Sequence, residues 1–462
     1  MIALKIPILR AAGRLVVGGA EREGGVWRPS SLRPPRQGEV FVPWDGQRGW
    51  RVLPEPDRIR VREVGPEGEG KEVALPLPEG ARAWQHRWQH RWVAGPRGAV
   101  FGVWRWHEGR WLPPDPVLRG PMDALGEAGE LYDPFGRVFR PRPEGGWTVE
   151  ELPGPEGLRV FWAEGGLRFR ISVQVFRIEG PDGEPRREIP IHRHGKDPVA
   201  AAAPGGRWAV YDGAALRWGR WEREEGAHPF PPPPDLVVFP LGEGWGVLVR
   251  REHLWVLPEQ EVLPVGSLLA PWEDVPGWRI WAGHDRFHRS WGGDLPAVAL
   301  PRSGGALRYL PGWAEGVFSL PRAVLVVIPP KGLAVLLPDG QMRFLEGMSH
   351  FCPSGEGGWV LRDRRAIRIG PDGEVVDEFP IGAFEIWGHV GLQDGSLALL
   401  LREEEGGFRV RFLTPEGLEE DVELSGISVW GDPREAGEGV LLSTAMGSLW
   451  VTRQGVFPVR TI

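Results

Sequence analysis

Residues 357–381, GGWVLRDRRAIRIGPDGEVVDEFPI, decide the fold of this chain. The stretch predicts three short strands, which are Trp359–Leu361, Ala366–Ile369 and Glu374–Phe379. Two tight turns separate them, because Arg362-Asp363-Arg364 is polar and Pro371-Asp372-Gly373 combines a fixed proline φ with a glycine that tolerates positive φ. Such a meander cannot bury both of its faces alone, so it must stack on copies of itself.

Copies of this unit follow one another through the C-terminal part of the chain. Inner strands are predicted to begin at Gly206, Gly244, Asp294, Gly332, Gly358, Gly395 and Gly439. Seven starts between residues 192 and 462 give about 39 residues per unit, close to the ~40 to 50 residues of a four-stranded propeller blade. The sequence therefore predicts an all-β fold with a seven-bladed β-propeller over 192–462. The interval between Gly332 and Gly358 is short, which indicates a misassigned start or an abbreviated blade.

This pattern resembles the repeats of β-propeller proteins in general, over about the last 60% of the chain. The resemblance implies a ring of antiparallel sheets whose loops converge on one rigid face. The domain layout is also similar to that of bacterial ternary systems in which a MoxR-type ATPase and a von Willebrand A protein accompany a propeller protein. That similarity implies protein partners.

Residues 1–191 are predicted to form a separate β-rich domain, because their strand spacing is irregular. A short helix is expected near 121–131, with Asp123 as its cap. The alternative is one larger propeller, or a double propeller, over the whole chain.

The composition favours a globular protein with many turns. Its 67 Gly and 48 Pro are dispersed along 462 residues, and the net charge of −7 gives no general attraction to nucleic acid or to an anionic membrane. The single cysteine, Cys352, excludes an internal disulfide and a cysteine metal cage. We expect no cofactor, no membrane span and a cytoplasmic location. The absence of Asn is typical of proteins from hot habitats.

The segment Trp84–Trp92, WQHRWQHRW, opens a region unusually rich in Trp and Arg. In a strand it would place Trp and His on one face and Gln and Arg on the other. Aromatic faces combined with guanidinium groups suit a protein hot spot or single-stranded nucleic acid. The predicted binding residues are Arg87, Arg91, Trp104, Arg105, Trp106 and Arg110. The alternative is a buried aromatic face beneath a solvated Arg face.

Two histidine-containing segments complete the candidates. The loop Gly283–Asp294 carries His284, Asp285 and His288, and the second segment is His192–His194. Neither has an identifiable third ligand on a rigid element, so no metal site is assigned.

The sequence favours a non-catalytic binding or scaffolding protein that presents a propeller face to a protein partner. No P-loop, dinucleotide fingerprint or nucleophile elbow is present. Two alternatives stay open: a hydrolase or lyase with its site at the central channel, and nucleic-acid binding through residues 81–111.

Overall fold

The structure is a computed structural model of the 462-residue chain. It describes residues 4–77, 92–95, 98–101, 104–107, 110–112, 122–154, 157–192, 198–230, 236–283, 295–348, 350–382, 384–403, 406–417, 419–445 and 447–459. The chain divides into two compact units, Met1–Pro271 and Trp272–Ile462.

In the described part of the first unit, the strands form seven sheets. Sheet 1 contains β1 (Ile8–Ala11), β2 (Arg14–Val17), β3 (Ala20–Glu23) and β4 (Val26–Pro29). Sheet 2 contains β5 (Val40–Pro43), β6 (Gly49–Pro54), β7 (Arg58–Gly65), β8 (Gly68–Glu69) and β9 (Val73–Pro76). Sheet 3 contains β10 (Trp92–Gly95), β11 (Gly98–Phe101), β12 (Trp104–His107) and β13 (Arg110–Leu112). Sheet 4 contains β14 (Ala124–Leu125), β15 (Leu131–Tyr132), β16 (Arg137–Pro141) and β17 (Trp147–Glu151). Sheet 5 contains β18 (Arg159–Glu164), β19 (Leu167–Ile171), β20 (Val175–Glu179) and β21 (Pro185–Pro190). Sheet 6 contains β22 (Val199–Ala203), β23 (Arg207–Tyr211), β24 (Ala215–Arg220) and β25 (Arg223–Pro229). Sheet 7 contains β26 (Leu236–Leu241), β27 (Gly244–Val249), β28 (His253–Leu257) and β29 (Glu261–Pro264), followed by a 3-10 turn at Gly266–Leu269.

The described part of the second unit contains five sheets. Sheet 8 contains β30 (Trp272–Val275), β31 (Trp278–Trp281), β32 (Val298–Pro301) and β33 (Arg308–Tyr309). Sheet 9 contains β34 (Gly316–Ser319), β35 (Val324–Ile328), β36 (Gly332–Leu336) and β37 (Met342–Glu346). Sheet 10 contains β38 (Phe351–Ser354), β39 (Gly357–Arg362), β40 (Arg365–Ile369) and β41 (Val375–Pro380). Sheet 11 contains β42 (Glu385–Gly391), β43 (Leu397–Arg402), β44 (Phe408–Leu413) and β45 (Glu419–Leu424). Sheet 12 contains β46 (Val429–Ala436), β47 (Gly439–Thr444), β48 (Gly447–Thr452) and β49 (Gly455–Val459).

The prediction of an all-β, propeller-like fold is confirmed. In eleven of these sheets four consecutive strands pair antiparallel in chain order, and sheet 2 has five strands. Such four-stranded units resemble propeller blades. Both turns of the opening stretch form as predicted: Asp363 and Arg364 have φ of 47° and 59°, and Gly373 has φ of 75°.

The core lies between neighbouring sheets, where second strands contribute large aromatic side chains. Trp208, Trp245, Trp359 and Val440 lie on second strands, and each is at most 2% exposed. Trp208 packs with Phe176 of the preceding sheet, their rings 5.2 Å apart. Burial of a whole indole supplies a large apolar area, which suits the thin sandwich between two blades.

The predicted starts at Asp294 and Gly332 precede third strands instead of second ones. The second strands of sheets 8 and 9 are β31, which follows Gly277, and β35, which follows Pro321-Arg322-Ala323 and has no glycine at its start. This displacement accounts for the short interval between Gly332 and Gly358. When strand positions are assigned from glycine turns alone, the assignment is displaced by one strand wherever the glycine lies in the second hairpin of a sheet instead of the first.

The helix predicted near 121–131 is wrong. Its described residues form the hairpin of β14 and β15, in which Ala124 pairs with Tyr132. Gly129 has φ of 83°, a conformation that helix interiors exclude, and Asp123 accepts from Arg159 at 3.4 Å instead of capping a helix. Local helix propensity is overridden by burial of Ala124, Leu125 and Leu131 between sheets.

In the first unit each sheet packs on the next, and sheet 7 packs on sheet 1. Strand β1 lies beside β26, and the two sheets are joined by ion pairs of Arg10 with Glu259, at 2.6 Å, and of Arg22 with Glu261. The predicted boundary at 191/192 falls between sheets 5 and 6, inside this unit. Sheets 5 and 6 share a core around Trp162, Ile178 and Trp208. The assignment of 1–191 and 192–462 as domains stays a prediction.

On one side of the first unit, hydrogen bonds join the turns that connect first and second strands. The Glu127 carboxylate accepts from the Gly165 N–H, and the Glu164 carboxylate accepts from the N–H groups of Gly205 and Gly206. Buried Arg207 then donates to the Gly242 carbonyl at 2.9 Å and to the Asp45 carbonyl at 3.0 Å. These bonds link sheets 4, 5, 6, 7 and 2 through backbone groups that would otherwise lack partners.

A candidate binding surface on two bulged strands

First strands of neighbouring sheets lie beside each other, and in sheets 11 and 12 both are interrupted. Strand β42 loses its register between Ile386 and Gly388, which leaves Trp387 as an extra residue. Strand β46 loses its register between Trp430 and Arg434, and Gly431 in this bulge has φ of 79°. Bulges are enriched next to functional sites because they redirect side chains. We call Trp387, Gly388, His389, Trp430, Asp432 and Pro433 the bulged-strand surface.

The two tryptophans of this surface are exposed. Trp387 has 41% and Trp430 has 64% of its area open to solvent. Trp387 contacts Phe408 edge-on, with ring centroids 5.2 Å apart. No described aromatic ring or cation stacks on Trp430. An exposed indole in water gains much by burial against a partner.

Asp432 and Pro433 connect the two strands. A Cβ placed on Gly388 would lie 2.4 Å from Cδ of Pro433 and 3.4 Å from Oδ1 of Asp432. Only glycine therefore fits at 388 without displacement of the β46 bulge. The bulge of β46 therefore packs against the backbone of β42 at the residue that follows Trp387.

Burial favours the neutral forms of two titratable groups in this region, His389 and Cys352. Burial lowers the pKa of His389, the charge of His350 lowers it further, and Asp432 opposes both. Burial likewise raises the pKa of the Cys352 thiol, whose Sγ accepts from the Gly391 N–H at 2.8 Å. A buried protonated thiol is a poor nucleophile. The arrangement suits contact with a partner better than covalent catalysis.

The structure distributes the predicted site residues differently from the expectation of an exposed strip. Arg87 and Arg91 lie outside the described residues. Trp104 is half-buried and its Nε1 donates to the Pro76 carbonyl at 2.8 Å. Half-buried Trp106 packs edge-on against Trp50, their centroids 5.3 Å apart.

The two predicted arginines in this region also differ from each other. The Arg105 guanidinium covers the ring of Trp147 at 4.6 Å, whereas Arg110 is exposed. Trp104, Trp106 and Arg105 thus support the packing of sheets 2, 3 and 4. Binding through these six residues stays a prediction.

Of the histidine segments, residues 193–197 and 284–294 lie outside the described residues. His192 borders a cavity of about 390 Å³ between the outer strands of sheets 5 and 6. Its charges are satisfied internally: Arg217 contacts Asp212 at 2.6 Å and Glu224 at 3.0 Å, and Arg187 also pairs with Glu224. This cavity offers no uncompensated charge to a ligand. Among the described residues, no three His, Cys, Asp or Glu side chains gather in a way that could hold a metal ion.

Sequence reasoning missed Trp387 and Trp430. A signal was present, since Glu385-Ile386-Trp387-Gly388 and Ser428-Val429-Trp430-Gly431 share a β-branched residue followed by Trp-Gly. Other Trp-Gly pairs lie in buried strands, as at Trp245-Gly246, so the dipeptide alone does not identify a surface.

No protein-family model and no curated protein matches the sequence. Among solved structures, the chain is similar to PorZ, a surface component of the type-IX secretion system of Porphyromonas gingivalis, with a TM-score of 0.43 and 11% identity over 98% of this chain and 72% of that one. It is also similar to BamB from Moraxella catarrhalis, with a TM-score of 0.27 and 9% identity over 81% and 98% of the two chains. A third similar structure is the Pan2 WD40 domain of Neurospora crassa, with a TM-score of 0.25 and 13% identity over 53% and 88%. No helix within the described ranges has the length and hydropathy needed to cross a bilayer.

Proposed function

We propose that this protein is a binding or scaffolding protein whose contact site is the bulged-strand surface. The observation that carries the proposal is the exposure of Trp387 and Trp430 on adjacent bulged first strands. Tryptophan dominates the energetics of protein interfaces, where it acts as a large and rigid anchor. The strands beneath it are rigid elements, which hold such anchors better than loops do.

The chemistry of the surface supports a protein partner more than the other two classes. Asp432 and Glu435 are exposed acids on β46, and acidic groups repel a phosphate backbone. Cys352 is held as a thiol, and His389 is held neutral by burial. The similarity of the domain layout to MoxR–von Willebrand A–propeller systems supports the same class of function. Location in the cytoplasm stays part of the proposal.

The experiment places the photo-reactive residue p-benzoylphenylalanine at position 430 in the native host. A matched control places it at Phe135, an aromatic side chain that is 71% exposed in the first unit. We expect a discrete protein adduct at 430 and none at 135. The captured protein is then purified, and its affinity is measured for the wild-type chain and for Trp430→Ala.

Loss of an interface tryptophan anchor should weaken that affinity by about 2 to 4 kcal/mol. Equal adducts at both positions, or no adduct at 430, would show that the bulged-strand surface is not a protein contact site. An affinity unchanged in Trp430→Ala would contradict the proposal in the same way.

A further inference from the structure

Sheet 12 has two different faces. One face packs on sheet 11 and shares its hydrophobic core, to which sheet 12 contributes Val429, Val440, Leu442, Leu449, Val451 and Val456. Successive residues of a strand point to opposite sides of its sheet. The residues that alternate with these six therefore lie on the side of sheet 12 that is turned away from sheet 11.

Two rows of side chains cross that second side from β46 to β49. Cross-strand partners share a face of an antiparallel sheet, so the pairing register places every member. The first row contains Trp430, Ser443, Ser448 and Val459, and the second row contains Arg434, Leu441, Trp450 and Phe457. We call these eight residues the free face of sheet 12.

The free face is largely apolar and is open to solvent. Trp430 is 64% exposed, and Phe457 and Val459 are 42% and 43% exposed. The other two apolar members, Leu441 and Trp450, are half-buried. Exposed apolar side chains that are neighbours in one sheet are typical of a surface that another macromolecule covers.

The neighbouring sheets show what covers a sheet face in this unit. Trp359 of sheet 10 shares a hydrophobic core with Leu399 of sheet 11, and Leu400 of sheet 11 shares one with Val440 of sheet 12. All four residues are at most 1% exposed. In each case the covering element is another four-stranded sheet, and sheets pack well face to face at about 10 Å. A further sheet therefore suits the shape of the free face.

The charge on the free face indicates which sheet would cover it. Arg434 is the single charged residue among the eight, is exposed, and makes no ion pair with any described residue. A guanidinium at an apolar contact is stabilised when it stacks on an aromatic ring. The covering sheet should therefore be apolar and should place an aromatic side chain opposite Arg434.

A second copy of the free face meets this requirement. Two identical faces meet around a two-fold axis, which lies in the plane of contact either across the strands or along them. With the axis across the strands, the first row lies opposite the second row, so Arg434 faces the second copy's Trp430. With the axis along the strands, β46 lies opposite β49, so Arg434 faces the second copy's Phe457. Both arrangements pair the cation with an aromatic ring.

We infer that the free face of sheet 12 is the contact between two copies of this chain. The inference rests on the proposed function, in which Trp430 is an anchor, and it names a second copy as the partner. Four strands about 4.8 Å apart and about 17 to 20 Å long would bury on the order of 1,000 Å² over both copies. This area is near the lower limit of specific interfaces, so the dimer should dissociate in the micromolar range.

The test is sedimentation equilibrium of the purified full chain between about 1 and 200 μM, the range in which a micromolar dimer dissociates. Ser443→Arg places a bulky charge in the middle of the free face. Ser319→Arg is the matched control, because Ser319 is also an exposed serine on a strand of the second unit. Arg434→Gln removes the charge of the face and keeps much of the side chain.

We expect a monomer–dimer equilibrium for the wild-type chain and for Ser319→Arg, and a monomer at every concentration for Ser443→Arg. Arg434→Gln should raise the dissociation constant about fivefold to thirtyfold, because the dimer loses two cation–π contacts. Denaturant unfolding curves of the three variants should match that of the wild-type chain, since each change is at an exposed position. This control separates loss of contact from loss of folding.

A wild-type chain that stays monomeric over this range, or a dimer that Ser443→Arg leaves intact, would overturn the inference. Failure of the proposed function is a different result. A photo-adduct of position 430 with another protein, together with a monomeric purified chain, would overturn the inference and support the proposed function. A dimer that Ser443→Arg dissociates, together with no adduct at 430 in the host, would support the inference and contradict the proposed function.

Discussion

Trp359 on a second strand and Trp430 on a first strand have opposite environments in this molecule. Trp359 on β39 is 1% exposed and its Nε1 donates to the Gly395 carbonyl at 2.9 Å. Trp430 on β46 is 64% exposed and borders a bulge, which begins after its pair with Ser443. The second strand faces neighbouring sheets on both sides, so its large side chains form the core. The first strand has one free edge, and a bulge there presents a side chain to solvent without loss of the sheet behind it.

The difference teaches that neither residue type nor strand position alone decides the exposure of a tryptophan, since Trp162 on β18 and Trp272 on β30 also lie on first strands and are buried. Trp387 and Trp430 stand out because both are exposed on adjacent first strands whose register is interrupted. The following four predictions test this contrast, in order of expected effect.

The largest effect is expected for Trp359→Ala. Removal of a fully buried indole leaves a cavity and orphans the Gly395 carbonyl, so the free energy of unfolding should fall by about 3 to 5 kcal/mol. Denaturant unfolding followed by circular dichroism measures it. The matched control, Trp430→Ala, should change stability by no more than about 0.5 kcal/mol. Equal losses of unfolding free energy in the two variants would contradict the difference in burial between Trp359 and Trp430.

A smaller effect is expected for Gly388→Ala. The new Cβ would press on Pro433 and displace the β46 bulge, which should cost about 1 to 3 kcal/mol in the same unfolding assay. In protein labelled with 5-fluorotryptophan, the fluorine NMR resonance of Trp430 should shift in this variant, whereas the resonance of Trp359 should not move. Gly431→Ala is not equivalent, because there the obstacle is a positive φ in open space. An unchanged Trp430 resonance would show that the two bulges do not touch.

His389 makes the first-strand surface sensitive to pH. Burial lowers the pKa of His389 in the folded state. Just below about pH 6.5, the ordinary pKa of histidine in an unfolded chain, the unfolded protein therefore binds a proton and the folded protein does not. Stability should therefore decline as pH falls through 6.5 toward the folded pKa and then level off. In His389→Gln this part of the decline should be absent. Parallel stability curves for the two proteins between about pH 7 and 5 would contradict the assignment.

The smallest effect is expected from a chelator. Neither the packed second strands nor the bulged first strands depend on a metal in this interpretation, so melting curves with and without EDTA should agree within about 1 °C. Loss of a structural metal would lower the melting temperature by many degrees. A drop of that size would mean that a bound metal ion stabilises the region around Trp359 or the region around Trp430.

The sequence predicted the architecture through its turns. Pro371-Asp372-Gly373 and Arg362-Asp363-Arg364 are local turn signals. Short apolar runs between such turns favour an antiparallel meander over other arrangements. The assignment of second strands failed at Asp294 and Gly332, which precede third strands, and the helix at 121–131 failed because burial between sheets 3, 4 and 5 outweighed propensity. Local sequence determines where strands form, whereas packing between sheets determines the position of each strand within its sheet.

The candidate surface could not be predicted in the same way. Trp430 borders a bulge in which Asp432 and Pro433 lie beside Gly388, a residue more than 40 positions away. The WQHRWQHRW segment drew attention by its composition, yet neighbouring Trp104 and Trp106 pack inward on sheet 2. Composition identifies where aromatic residues are abundant, and only the pairing register identifies where they face solvent.

The closure of the first unit has a consequence for biosynthesis. Arg10 pairs with Glu259, 249 residues later, and Arg207 holds the Asp45 carbonyl across 162 residues. A ribosome produces about 5 to 20 residues per second, so the first sheet waits many seconds for the residues that cover it. The side of sheet 1 that packs on sheet 7 stays open during that time. Contacts of such long range also slow folding after release. The nascent chain is thus most vulnerable to aggregation before Glu259 and Glu261 emerge, and a stop placed just upstream of them would leave its earliest sheet permanently uncovered.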